Sequence, residues 1–252
     1  MNEKDLMILE QYELQVHSAR RGRGSFLCDT DKGLIQVTEF SGSRERLFFQ
    51  NRVLCFLQEQ GMRSDKILEN REGNLVSLDR YQNGYVVKKW FFGRECDTKS
   101  PEDIMEAVRY LAKLHQVLCL PVQESETEAA QIEEREEKVI RKDLEYNGEP
   151  LSGEIMRHTR ELKKVRNFIR TRKKKTTFEQ RFLELYEPFM EQAEEVAQRV
   201  QESRATALYR QSIRERRICH GDYSQHNLIF DREGAVAVNF ARCCFDTQIA
   251  DF

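Results

Sequence analysis

Asp222, Asn227 and Asn239 are the side chains of this sequence whose types and spacing could do chemistry. They sit in His220-Gly221-Asp222-Tyr223-Ser224-Gln225-His226-Asn227, which continues through Leu228 to Phe230, an Asp231 to Gly234 turn, and Val236-Ala237-Val238-Asn239-Phe240. Moving a phosphoryl group takes a base beside the attacking hydroxyl and a metal ion against the nucleotide phosphates, since catalysis there is mostly positioning and charge neutralisation. Asp222 suits the base. Asn227, with four residues between it and Asp222, can offer an amide oxygen to magnesium, and a carboxylate one hairpin later would be the stronger ligand. Asn239 holds that later position. Its amide can donate an oxygen but lacks the charge that holds a hard divalent cation, so metal affinity is expected to drop. A bare His-Gly-Asp would carry little weight, because these are ordinary turn residues; the spacing to Asn227 and the two apolar strands that follow carry the signal.

These residues need elements to hold them. Leu14 to Ser18, Ser25 to Cys28 and Leu34 to Phe40 read as short strands, parted by the turn signals Gly22-Arg23-Gly24 and Asp31-Lys32-Gly33. Ser43 then opens a helix in which Leu47, Val53, Leu54 and Leu57 share a face, ending at Gly61. Two more strand-like runs follow, Leu75 to Leu78 and Tyr85 to Phe92. Ser100-Pro101-Glu102-Asp103 is a helix start, with a capping serine, proline at the first position and acids in the first turn. Ile104, Ala107, Val108, Leu111, Leu114, His115 and Leu118 recur there at helical spacing, and His115 reads as a packed, hydrogen-bonded residue rather than a catalytic one.

Residues 124–137 hold seven glutamates among few apolar groups and read as a solvated insertion. From Glu154 to Lys175, Ile155, Leu162, Val165 and Ile169 line one side of a helix, and the closing run Arg170-Thr171-Arg172-Lys173-Lys174-Lys175 reads as an exposed helix end. From Phe178 onward Phe182, Leu185, Tyr186, Phe189, Ala193, Val196, Ala197 and Val200 keep helical steps, which implies burial against other helices. The expected division is a first domain of residues 1–92 and a helical second domain of residues 93–252 that carries the loop.

Composition excludes several classes. Lys plus Arg (41) nearly cancels Asp plus Glu (43), so no global field draws in nucleic acid or anionic membrane. No apolar run approaches the roughly 20 residues that span a bilayer, and Met1-Asn2-Glu3-Lys4-Asp5 does not begin a signal peptide. The expectation is a cytoplasmic protein, or one placed on an internal structure. Seven scattered cysteines without a C-x-x-C pair argue against structural zinc. Cys28, Cys55 and Cys219 read as small core residues, and the vicinal Cys243-Cys244 is the pair to watch.

His220-Gly221-Asp222 with Asn227 resembles the H-G-D-x-x-x-x-N loop of the aminoglycoside phosphotransferase and choline kinase superfamily. Strands, one helix and strands again is also the order of a kinase amino-terminal lobe. Cys219 through Asn227, then Phe240, Arg242-Cys243 and Asp246-Thr247, is similar to the CotS family of spore coat proteins, which are kinase homologues. Trp90-Phe91-Phe92-Gly93-Arg94-Glu95-Cys96-Asp97 resembles the hinge of that family, and Arg21-Gly22-Arg23-Gly24 and Gly61 fall in place, so the likeness runs from about residue 9 to the end.

The resemblance implies an α+β, protein kinase-like two-lobed fold, a small sheet-plus-helix lobe and a mostly helical one. It implies ATP and magnesium as cofactors, with Gly22, Gly24, Trp90 and the position of Thr38 facing the nucleotide. Thr38 stands where the family has a phosphate-facing lysine, and a hydroxyl cannot offset phosphate charge as an ammonium does. Asn239 stands where it has an aspartate. Asp251 matches an aspartate that braces the catalytic loop, and relatives continue beyond it, so the chain reads as truncated at its carboxy terminus. The expectation is therefore a spore coat-associated scaffold with a degraded site, assembled with other spore coat proteins. The alternative is an active small-molecule phosphotransferase in which Asp222 is the base and Asn227 and Asn239 hold the metal.

Overall fold

The computed structural model describes residues 3–22, 24–121 and 146–252; Arg23 and the glutamate-rich stretch 124–137 lie outside them. The chain divides into two compact units. The first is Met1–Leu120, Ile218–Cys244 and Ile249–Phe252, and the second is Pro121–Arg217 with Phe245–Gln248.

An antiparallel sheet dominates the first unit. Strands β1 (Val16–Arg21), β2 (Ser25–Thr30) and β3 (Gly33–Phe40) are followed by helix α1 (Arg44–Glu59), then β4 (Lys66–Ile67), β5 (Ser77–Leu78) and β6 (Gly84–Lys89). The order is β1-β2-β3-β6-β4, with β5 also on β6. Alternation along these strands sorts their residues between two faces. Phe26, Cys28, Ile35, Val37, Tyr85 and Val87 form one buried face with Ile8, Leu9 and Tyr12 from a 3-10 helix, Glu3–Gln11. That amino-terminal cover carries no strong periodicity and was not expected. The first strand begins two residues later than the sequence pattern implies, because its pairing to β2 sets Arg21 opposite Phe26 around the turn. Ser43 caps α1 by accepting from the Arg46 N–H at 3.1 Å.

The expected boundary between residues 92 and 93 falls inside the first unit. Beyond Gly93 the short β7 (Arg94–Glu95) pairs with β9 (Leu228–Asp231), and β9 pairs with β10 (Gly234–Ala237), so the hairpin after the Asp222 loop is knitted to the segment after Gly93. Gly93 has to be glycine at this crossing, since a Cβ there would stand 2.5 Å from the Phe230 carbonyl oxygen. β8, the two residues Ile218–Cys219, leads into the loop. Helix α2 (Pro101–Val117) starts as its sequence implies, with Ser100 accepting from the Asp103 N–H at 3.2 Å. Arg94 pairs with Asp103 and draws its carboxyl pKa down to about 2.

The second unit consists of helices α3 (Leu151–Thr171), α4 (Thr177–Glu202) and α5 (Ala205–Arg214). A capping box between Thr176 and Glu179 starts α4, and Arg172 pairs with the same glutamate. The basic run is thus an exposed helix end, with Arg172 and Lys175, which donates to the Arg172 carbonyl at 2.8 Å, engaged locally. The apolar face of α4 is only partly covered: Tyr186 and Met190 are buried, whereas Phe178 and Phe189 are 75% and 62% exposed. Helix α5 was not anticipated, although Ala205, Leu208, Tyr209 and Ile213 stand at helical spacing along it. Among the described residues, no helix is long and apolar enough to cross a membrane.

Candidate active site

The loop that carries Asp222 is built from its backbone outward. Gly221 adopts φ 77°, and a Cβ on it would come within 2.2 Å of the Arg242 carbonyl oxygen, so only glycine fits. Asp251 braces this turn. Its Oδ1 accepts from the Gly221 N–H and its Oδ2 from the His220 N–H, both at 2.8 Å, while His115 Nε2 lies 2.9 Å from Oδ2. Burial alone would raise the Asp251 pKa, but the bonds from His115, Gly221 and His220 outweigh it and hold the carboxyl below its ordinary value.

His220 is fully buried and packs against Phe240, with ring centroids 4.3 Å apart and the rings tilted by 57°. Desolvation pushes its pKa down, so the ring is neutral. Its tautomer follows from its partners: Nδ1 accepts from the Asp222 N–H at 3.2 Å, so Nε2 carries the hydrogen and donates to the Val238 carbonyl at 2.9 Å. Tyr223 donates to the Ala107 carbonyl of α2 at 2.7 Å, and burial raises its pKa. The Asp222 side chain is exposed and makes no hydrogen bond among the described residues. It is presented as a base on a fixed turn would be.

Asn227 and Asn239 meet. Asn227 Nδ2 donates to the Asp222 carbonyl at 2.8 Å, and that partner can only accept, so Asn227 Oδ1 faces the other way. There it accepts from Asn239 Nδ2 at 2.9 Å. The amide nitrogen of Asn239 therefore sits on the oxygen that a metal would need. Asn239 adopts φ 67° and ψ 50°, the left-handed region that asparagine tolerates better than most residues. Among the described residues, no cluster of three or more His, Cys, Asp or Glu side chains could hold a metal ion. Two neutral amides, one already bonded to the other, do not suit a hard divalent cation.

The other expected nucleotide residues fall on the first unit's sheet and its edge. Gly22 and Gly24 form the β1–β2 turn, closed by the Gly22 N–H to Ser25 carbonyl bond at 2.8 Å, and Gly24 takes φ 63°. Thr38 is half-buried on β3, opposite Val86. Trp90 donates its backbone N–H to the Leu34 carbonyl at 2.8 Å and packs, half-buried, on Ile229, Val236 and Val238.

A buried ion pair was missed in the sequence. Lys88 on β6 donates to Asp65 Oδ2 at 3.1 Å, with side chains 9% and 0% exposed. The same oxygen accepts the Asn239 backbone N–H at 3.2 Å. Asp65 is held there by a parallel bridge between Ser64 and Ala237 and by Tyr110, which donates to the Arg63 carbonyl at 2.9 Å. Asp65 gave no signal because it lies in a short link between elements; Lys88 gave a faint one, a charge two residues from Val86 on the same strand face. Arg46 of α1 adds a second tie, donating to the carbonyls of Ala241 and Cys243 just past Asn239.

An antiparallel sheet with one following helix, joined to an H-G-D-x-x-x-x-N turn on a hairpin, defines a protein kinase-like phosphotransferase fold. The chain belongs to the phosphotransferase enzyme family, which it matches over residues 23–252. It is similar to an aminoglycoside phosphotransferase from Alicyclobacillus acidocaldarius subsp. acidocaldarius DSM 446, at 15% identity and a TM-score of 0.72 over 97% of this chain and 68% of that one. A spectinomycin phosphotransferase solved with ADP and spectinomycin gives 11% identity and 0.68 over 100% and 72%. A choline kinase from Cryptosporidium parvum Iowa II gives 13% and 0.55 over 99% and 67%. At these identities the likeness is one of fold. No curated protein matches the chain.

Proposed function

We propose that this chain keeps the phosphotransferase fold as a scaffold, with little or no metal-dependent phosphoryl transfer, and acts mainly through interactions. The bond from Asn239 Nδ2 to Asn227 Oδ1 carries the reading. Where two oxygens should face a cation, an amide N–H already satisfies one of them, and the carboxylate that would attract the ion is gone. Thr38 removes a cation from the phosphate side as well. The likeness of Cys219 through Asn227 and of Arg242-Cys243 to CotS proteins supports a place on the spore coat among other coat proteins. A thermal-shift titration with ATP and magnesium tests the site. Wild type should gain nothing from magnesium, Asn239→Asp should gain, and Thr38→Lys with Asn239→Asp should gain most. Micromolar, magnesium-dependent ATP binding by wild type would sink the proposal.

One observation favours an active enzyme instead. Asp222 stands exposed on a turn braced by Asp251, as a base for an acceptor hydroxyl would. On this second reading ATP is consumed only when an acceptor is present, and consumption disappears in Asp222→Ala. Aminoglycosides and choline, the acceptors suggested by the similar phosphotransferases, are the first to assay.

A further inference from the structure

The ammonium missing at Thr38 has a buried counterpart one strand away. In the β3–β6 pairing Gln36 faces Lys88 and Thr38 faces Val86, so Thr38 and Lys88 are diagonal neighbours on one sheet face. Such positions stand about 7 to 8 Å apart, a span that a lysine side chain covers. This face is opposite the one that Ile35, Val37, Tyr85 and Val87 bury against the amino-terminal helix. Lys88 is only 7% exposed, and Asp65 takes one of its three N–H groups at 3.1 Å. Asp65 Oδ2 also holds the Asn239 backbone, so the pair touches the residue at the centre of the altered site. Two polar atoms here are buried without a protein partner, Asp65 Oδ1 and Ser64 Oγ. Buried polar groups are nearly always satisfied, and Asp65 Oδ1 can only accept, so a hydrogen-bond donor such as water belongs beside it.

We infer that Lys88 is the phosphate-facing cation of this site, transferred from β3 to β6, with Asp65 as its positioning residue. In protein kinases a strand lysine held by a helix glutamate meets the nucleotide phosphates. Here the same two charges come from β6 and from the link after α1. The inference rests on the reading of this site as a former nucleotide site, and extends it: the polyphosphate of ADP or ATP binds without a divalent metal, because the remaining charge contact is protein-borne. Metal-independent binding and failed transfer then coexist in one site.

The test is calorimetric titration with ADP and with ATP in excess EDTA. Lys88→Met alone strands the Asp65 charge and risks the fold, so the working variant is Lys88→Met with Asp65→Asn, which keeps an acceptor for the Asn239 N–H; melting curves verify folding. Wild type should bind in EDTA, and the double variant should bind about tenfold or more weaker, the loss of one charge-assisted contact. Adding Thr38→Lys to the double variant should restore affinity by returning the ammonium to β3. No wild-type binding in EDTA, undiminished binding in the double variant, or no recovery in the triple variant would each overturn the inference. Magnesium-dependent turnover lost in Asp222→Ala would instead overturn the scaffold reading and leave the Lys88 result standing.

Discussion

The two ends of the 220–240 segment differ in how they are kept. At the Gly221 end, every backbone donor that turns the loop has its acceptor: Asp251 takes the His220 and Gly221 N–H groups and His220 takes that of Asp222. At the Asn239 end, the backbone is held equally well by Asp65, but the charges expected of a phosphoryl-transfer site are replaced by amides and a hydroxyl. On the proposed reading, shape and chemistry have separated. The bonds that hold a turn also hold the fold, and losing them costs stability directly, whereas a metal-binding carboxylate buys stability only when its cation is bound.

Breaking the buried ion pair at the Asn239 end should have the largest effect. Lys88→Met leaves Asp65 charged, buried and uncompensated, at a cost of about 3 to 5 kcal/mol. Chemical denaturation should show most of that loss recovered when Asp65→Asn is added, and a full loss in the double variant would mean that packing rather than charge matters. At the other end, Gly221→Ala forces a Cβ onto the Arg242 carbonyl at positive φ. A loss of about 3 kcal/mol follows from strain and overpacking together, read in the same denaturation experiment.

The pH dependence of the Gly221 end is a milder effect. Burial holds the folded-state pKa of His220 below its ordinary value, so the unfolded chain takes up a proton first as pH falls. The stability contributed is full above about pH 6.5 and is lost as pH drops from there towards the folded pKa. Melting curves from pH 7.5 to 5 should slope downward, and less steeply in His220→Gln. Asp251 adds a second loss at lower pH: its depressed folded pKa gives stability present above about pH 4 and lost below it. The smallest effect belongs to Asp222→Ala. With no hydrogen bond to lose among the described residues, it should change stability by less than about 0.5 kcal/mol. A larger loss would show that Asp222 is part of the brace and not an unused base.

Much of the fold was legible in the residues. Period-two apolar runs and the turns at Gly24 and Gly33 gave the β1–β2–β3 order, and Ser100-Pro101 gave the start of α2 to the residue. What stayed hidden was long-range. The pairing of β7 with β9, 134 residues away from Glu95 at Ile229, leaves no trace in any local pattern. How much of the α4 stripe is covered was not legible, because periodicity shows that a face is apolar, not that something covers it. In the site, the spacing from Asp222 to Asn227 showed which residues could meet. The Asn227–Asn239 bond needed coordinates, since an amide can donate or accept and sequence does not choose. Lys88 and Asp65 were invisible as a pair for a similar reason: one is a charge inside a strand, the other a charge in a link, and only the fold brings them together.

The central claim is that the Asn227–Asn239 amide bond takes the place of a cation. Bound manganese, a paramagnetic stand-in for magnesium, can be counted by electron paramagnetic resonance in the presence of ADP. The account predicts no ADP-dependent manganese uptake by wild type and one bound ion per chain in Asn239→Asp, with a rise in melting temperature that follows the ion concentration. Manganese bound to wild type as tightly as to Asn239→Asp would contradict it.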